Sequence, residues 1–331
     1  MEPQPQSAPR SRSLFFPIVL IGIGAIWLLV NFNIIQGFTF GQLWRLWPLF
    51  LIAAGLELLF GRGRAFIGAL IGLLTVAAAV VLLIYGRQLG LGQATTLKTE
   101  AFSAPLAEAT SAQVTLDLDE YASDIGPTTS AENLVEADLT YAGEPVFEVT
   151  GTTDKAVTVG VRNDNTDPFS FFDSIDARWQ IGLSPEVPLG LTVDGGSGSA
   201  DFHLQTLDLT SLAVDGGSGA LDLALPAGDG YTAEVSGGSG SVRIAFESGT
   251  QATLRYDGGS GALTVDVPEG QAVRVEIRDS GSGGVSLPGG WEVVSDGDND
   301  EGVWQTDGYD AAADQLLIIV TEVGSGSIRV D

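Results

Sequence analysis

Three carboxylates at alternate positions are the clearest hint of chemistry in this chain. Asp296, Asp298 and Asp300, in "DGDNDEG" (residues 296–302), have the spacing of the first oxygen ligands of a calcium loop. Glu301 stands where that loop needs glycine, and Gly302 comes one place late. The segment reads as an acidic surface loop, with calcium binding left open. "GGSGALDLA", residues 216–224, resembles a calcium-roll nonapeptide, but its Asp falls at the seventh place and the string does not recur every nine residues. The single histidine, His203, alternates with Phe202 and Leu204, which points it to solvent with no ligand partner at metal spacing. Asp194, Asp215 and Asp257 each precede a Gly-rich string, where a carboxylate accepts turn N–H groups; Ser236 interrupts the row. No serine sits in a nucleophile elbow with a partnering histidine, and the Gly-rich strings open strands rather than helices, which excludes a phosphate-binding loop. The sequence thus offers no catalytic residue, no cofactor-binding residue and no metal site, and it reads as a non-enzyme.

Composition agrees. The chain has 331 residues, no Cys and a net charge of −27. Disulfides and thiolate metal centres are excluded. The charge is unevenly placed: residues 1–90 hold six Arg and two acids, while the rest holds nine basic and forty acidic residues. So acidic a surface repels phosphate backbones, and nucleic acid is not an expected partner.

The elements that carry these residues follow from periodicity. "VDGGSGSADFHL" begins at Val193, "VDGGSGALDLAL" at Val214, "VSGGSGSVRIAF" at Val235 and "YDGGSGALTVDV" at Tyr256, so the string returns at a constant step. Every period holds two strand-like runs and two turns. One turn is Gly-Gly-Ser-Gly; the other is Pro-Ala-Gly at 226–228, Glu-Ser-Gly at 247–249 or Pro-Glu-Gly at 268–270. Leu221, Leu223 and Leu225 alternate with polar or small residues, as do Leu263, Val265 and Val267, so one face of each strand is aliphatic. A constant period with one recurrent corner predicts a β-solenoid with a 21-residue coil, regular from about 193 to 278, in preference to a meander of hairpins. Glycine at the corner supplies positive φ and lets neighbouring corners stack without a Cβ. Phe169, Phe171, Phe172 and Trp179 on one side, and Trp291, Trp304 and Tyr309 on the other, are expected to serve the core or its caps.

The first part of the chain has a different solvent. Residues 14–30 and 65–85 carry no charge and would reach roughly 26 and 32 Å as helices, close to the thickness of a bilayer core. A third apolar stretch, about 46–60, repeats the first at a fixed offset: Pro17 meets Pro48, Gly24 meets Gly55 and Leu28 meets Leu59. Gly22, Gly24 and Gly55 would let helices approach closely in lipid. The expected organisation is a cytoplasmic tail (1–13), a three-span module (14–85), a connector (86–110) and an extracytoplasmic β domain (111–331). Arg10, Arg12, Arg62 and Arg64 then lie on the cytoplasmic side.

"FFPIVLIGIGAIWLLVNFNII" and "LWRLWPLFLIAAGLELL" resemble the transmembrane module of LiaI/LiaF-like proteins, a bacterial membrane family of the response to cell-wall-active antibiotics. The strand-rich remainder is similar to the toast-rack and adhesin-type β-solenoid domains often joined to such modules. The resemblance implies a sensor or regulator of envelope stress in the bacterial cytoplasmic membrane. Its partners would be the lipid bilayer and a membrane histidine kinase or other envelope protein. A cell-surface scaffold or adhesin anchored by its helices is the alternative.

Overall fold

The computed structural model describes residues 17–24, 47–61, 65–85, 97–162, 177–296 and 300–331. They fall into a helical unit and a β unit.

In the helical unit, α1 covers residues 17–24, α2 runs Trp47–Leu56 and ends in a π-helical turn Glu57–Gly61, and α3 runs Ala65–Tyr85. Pro48 stands in the first turn of α2, where a missing N–H costs nothing. Val19 and Ala53 are buried together against Phe50 and Ile71, so all three helices share one small core. Most large side chains point the other way: Ile21, Leu59 and Phe66 are 71%, 76% and 79% exposed. Side chains of α3 are described over residues 66–82. Among the described residues no helix is long and apolar enough to cross a membrane.

The β unit opens with β1 (Lys98–Pro105), β2 (Ser111–Asp117), β3 (Ala122–Pro127), β4 (Asn133–Tyr141), β5 (Glu144–Thr150), β6 (Asp154–Arg162) and β7 (Arg178–Leu183). The regular region follows as β8 (Leu189–Asp194), β9 (Ala200–His203), β10 (Leu209–Asp215), β11 (Leu221–Leu225), β12 (Asp229–Gly237), β13 (Val242–Phe246), β14 (Gln251–Gly258) and β15 (Leu263–Asp266). The C-terminal part holds β16 (Ala272–Ile277), β17 (Val285–Ser286), β18 (Glu292–Asp296), β19 (Gly302–Gln305), β20 (Gln315–Val323) and β21 (Ile328–Val330).

These strands make two sheets, and each coil gives one strand to each. The first sheet has the order β1-β4-β7-β3-β9-β11-β13-β15-β21-β17, and the second β18-β19-β16-β20-β14-β12-β10-β8-β2-β6-β5. Among β8 to β15 every pairing is parallel and joins positions one full repeat apart, as in Val193↔Val214↔Val235↔Tyr256. That is the predicted solenoid; a meander would pair antiparallel. Ile125, Phe202, Leu223, Ile244, Val265 and Val330 form one inward ladder, each at most 1% exposed. Residues between them face out, so the period of two in the sequence becomes the two sides of a sheet.

Of the two reasons expected for glycine at these corners, stacking without a Cβ holds and positive φ holds at one position alone. Among those of the Gly-Gly-Ser-Gly strings, only Gly196 has positive φ (52°). Positive φ is required at the opposite corner instead, at Gly249 (80°) and Gly270 (84°), where a Cβ would meet open space. At Gly217, Gly238 and Gly259 a Cβ would come within 3.0 Å of the carbonyl oxygen one coil below. Close stacking, not backbone handedness, excludes a side chain there.

Both ends of the rod depart from chain order. The stretch expected as a connector contains β1, which pairs antiparallel with β4, so the β unit begins at Leu97 rather than at 111. Its burial pattern is almost wholly exposed, as suits an edge strand, and it left no hydropathy signal. The rung β2/β3 lies between β8/β9 and the later β6/β7. At the far end, β20/β21 fills the rung between β14/β15 and β16/β17. Gln271, 5% exposed, clasps that insertion. Its amide oxygen accepts from Gly249 N (2.9 Å) and Thr250 N (3.2 Å), and its amide nitrogen donates to Thr250 O (2.9 Å) and Asp314 O (2.6 Å).

The aromatics seal the core. Phe102 and Phe147 stack at 5.3 Å between the outermost strands of the two sheets. Trp179 is fully buried, stacks on Tyr121 at 4.8 Å and donates its indole N–H to Thr140 O (3.1 Å). Trp291 and Trp304 pack against the other end of the core. Phe169, Phe171 and Phe172 lie outside the described residues.

Candidate functional site

Parallel, in-register stacking turns single residues into rows. On the outer face of the second sheet it aligns Asp117, Asp194, Asp215, Ser236, Asp257 and Glu322. Adjacent members sit one strand spacing apart, about 4.8 Å, where like charges repel. Burial pushes the Asp117 carboxyl above its ordinary range, and the charges of Asp194 and Asp119 push it further, against a smaller opposing pull from the Asp119 backbone N–H. Glu120 is raised by burial and by Asp119. Of the aspartates expected to accept turn N–H groups, Asp194 does so from Gly196 N at 3.4 Å. The row therefore concentrates negative potential along one edge of the rod. Asp117 extends it by one rung, which the sequence reading missed because its corner reads "LDEY" where later corners read "GGSG". The turn is nonetheless the same one: Asp119 takes the positive φ (49°) that Gly196 takes on the next coil (52°).

On the outer face of the first sheet, the row Gln180, Asp124, Asp201, Asp222, Arg243, Thr264, Arg329 and Ser286 runs the length of the rod. His203 belongs to the neighbouring row; its ring is 58% exposed and its Nε2 lies 3.8 Å from Asp124. Arg243 pairs with Asp266 at 2.7 Å, and Arg329 with Asp331 at 3.6 Å. Among the described residues no three acidic or imidazole side chains converge as metal ligands. The calcium-loop spacing cannot be placed, since residues 297–299 lie outside the described residues.

One carboxylate has a structural task. Glu136 accepts from the Thr129 hydroxyl (2.7 Å), Thr129 N (2.9 Å), Asn133 Nδ2 (2.8 Å) and Ser130 N (3.2 Å). Those bonds, led by the one from Asn133, hold its carboxyl down at about 2, from an ordinary 4.5. A lowered folded-state pKa contributes stability above the unfolded value, which is lost as pH falls through the folded one. Glu136→Gln is expected to cost about 1 kcal/mol at neutral pH. The gap to the parent should close between pH 4.5 and about 2. Thermal melts across that range measure it.

In the helical unit, the three glycines of the sequence separate. A Cβ on Gly22 would collide with Val76, so Gly22 serves the packing of α1 on α3. Among the described residues, Gly24 and Gly55 have nothing within 4 Å of a Cβ position.

Residues 14–59 match the family of LiaI-LiaF-like transmembrane regions, and residues 93–245 match the N-terminal domain of toast_rack, DUF2154. Among solved structures, a candidate cell adhesion protein from Clostridium sporogenes aligns over 71% of this chain and 99% of its own, at 17% identity and a TM-score of 0.46. A candidate adhesin from Bacteroides fragilis aligns over 72% of this chain and 98% of its own, at 11% identity and a TM-score of 0.34. No curated protein matches the chain.

Proposed function

Because this chain joins a LiaI-LiaF-like transmembrane region to a toast-rack domain, we propose that it is a non-enzymatic sensor or regulator of cell-envelope stress that works by protein–protein binding. The chain is membrane-associated and envelope-related. In the proposed arrangement the helices cross the bacterial cytoplasmic membrane three times, Arg10, Arg12, Arg62 and Arg64 face the cytoplasm, and the β rod stands outside. The observation that carries the reading is the inside-out helical unit. It buries small residues such as Ala53 and turns Leu51, Leu59, Phe66 and Leu73 outward. Lipid accepts that surface, and in lipid two open glycines offer a close-packing face to another membrane helix. The regulatory contact, to a histidine kinase or another envelope protein, is assigned to that face.

The test exploits the fact that, among the described residues, a Cβ on Gly24 or Gly55 would meet nothing within 4 Å. Replacing both with Leu is expected to abolish capture of the membrane partner in mild detergent and to leave the β rod folded. A fragment of residues 1–90 should still capture it. Capture by the double variant, with none by the fragment, would move the contact to the β rod and favour the scaffold or adhesin reading.

A further inference from the structure

We propose that the outer face of the first sheet is a self-complementary surface on which a second copy of this chain docks, with the two rods antiparallel. Strand pairing fixes the order of side chains along this face. Asp124, Asp201 and Asp222 occupy three successive rungs, and Arg243 and Arg329 follow with Thr264 between them. One half of the row is acidic and the other half carries the arginines.

A twofold axis parallel to the strands, passing between β11 and β13, reverses the rung order and keeps each row opposite itself. It brings Asp222 against the second copy's Arg243, Asp201 against its Thr264, and Asp124 against its Arg329. Each contact occurs twice, as an isologous interface requires. The neighbouring row obeys the same operation. Ala224 and Ala245 are in register on adjacent strands and meet each other across the axis, and His203 comes opposite Asp266. These pairings oppose no like charges. The alanines leave the centre flat, so the backbones of two sheets can approach to the usual packing distance of about 10 Å.

The arginine ends are free to reorient. Arg243 and Arg329 are 57% and 59% exposed, and their in-chain partners Asp266 and Asp331 lie on the same face. A second copy's carboxylate therefore joins an existing pair rather than breaking one. Size is sufficient as well. The eight strands from β7 to β17 present a face on the order of 40 by 15 Å. Two such faces bury roughly 1,200 Å², within the range of specific interfaces.

The experiment uses the full chain, which has no Cys of its own. A224C in a chain with one tag is mixed in detergent with A245C in a chain with another, and a short bismaleimide is added. Cross-linked species carrying both tags are expected. D222R should weaken that product about tenfold or more, because it sets two arginines face to face. D222R combined with R243D should restore it, which also shows that the charge changes are tolerated by the fold. Absence of the mixed product overturns the proposal, even where the chain is dimeric, since association through the helices alone would leave these positions unlinked. A mixed product indifferent to D222R overturns it too.

Discussion

Gly217→Ala, the addition of one methyl group, is expected to destabilise the β rod by about 3 kcal/mol or more. In this corner the new Cβ would meet the carbonyl oxygen of Gly196 under 3.0 Å, and that oxygen is backbone. It cannot turn aside as a side chain would, because Ser218 N donates to it at 2.9 Å in the corner ladder. Relief would require the two coils to part, which breaks the parallel pairing of β10 with β8 and loosens the ladder of Val193 and Val214. Backbone handedness plays no part, since Gly217 is not among the residues of positive φ. The neighbouring Ser218 is exposed, so Ser218→Ala serves as the control and should be close to neutral. A difference of about 3 kcal/mol corresponds to a drop of roughly 6–12 °C in Tm for a domain of this size. Equal melting temperatures for the two variants would refute the stacking argument.

Deleting residues 315–331 should do more damage than the loss of an end repeat. In a solenoid stacked in chain order, the last coil is a cap, and its removal exposes one new end. Here β20/β21 is an interior rung. Leu316, Ile318, Val320 and Val323 are each 0% exposed, and β20 is hydrogen-bonded on both sides, to β14 and to β16. Without it, β16, β17, β18 and β19 lose every described strand pairing to the rest of the rod. Gln271 loses Asp314 as a secured partner and leaves buried amide groups without fixed geometry. The expected result is cooperative loss of residues 272–314 and exposure of the edge of β14, seen as rapid proteolysis from Gly270 onward. Stable protection of residues 272–296 in the truncated chain would show that the insertion is dispensable.

Both predictions turn on the difference between a repeat's content and its order. The constant period, the two strands per coil and the inward aliphatics follow from the sequence, because a parallel in-register stack demands the same residue type at the same phase in every coil. Leu223 and Ile244 show it directly. In the helical unit, α2 and α3 were legible as apolar runs, and Pro48 falls in the first turn of α2. The site readings were legible only in part. The Asp row was visible at Asp194, Asp215 and Asp257, whereas Asp117 joins it through a pairing with β8, and the whole of β3 to β7 lies between the two strands in the chain.

What tertiary structure alone decided is the order of the rungs and, with it, which charges share a face. Local pattern is silent here because the corners are interchangeable. Gly324-Ser325-Gly326 fits between Gly259-Ser260-Gly261 and Gly281-Ser282-Gly283 as well as any corner of its own chain order would. Any rung with aliphatics at the right phase and glycine at the corner can stack on any other. The choice falls to what the ends need. Returning the chain inside the terminal rungs buries β2/β3 and β20/β21 between two neighbours each, and leaves the outermost positions to strands with polar edges and aromatic lids. That selection depends on pairings between residues far apart in the chain, and no window of the sequence contains both partners.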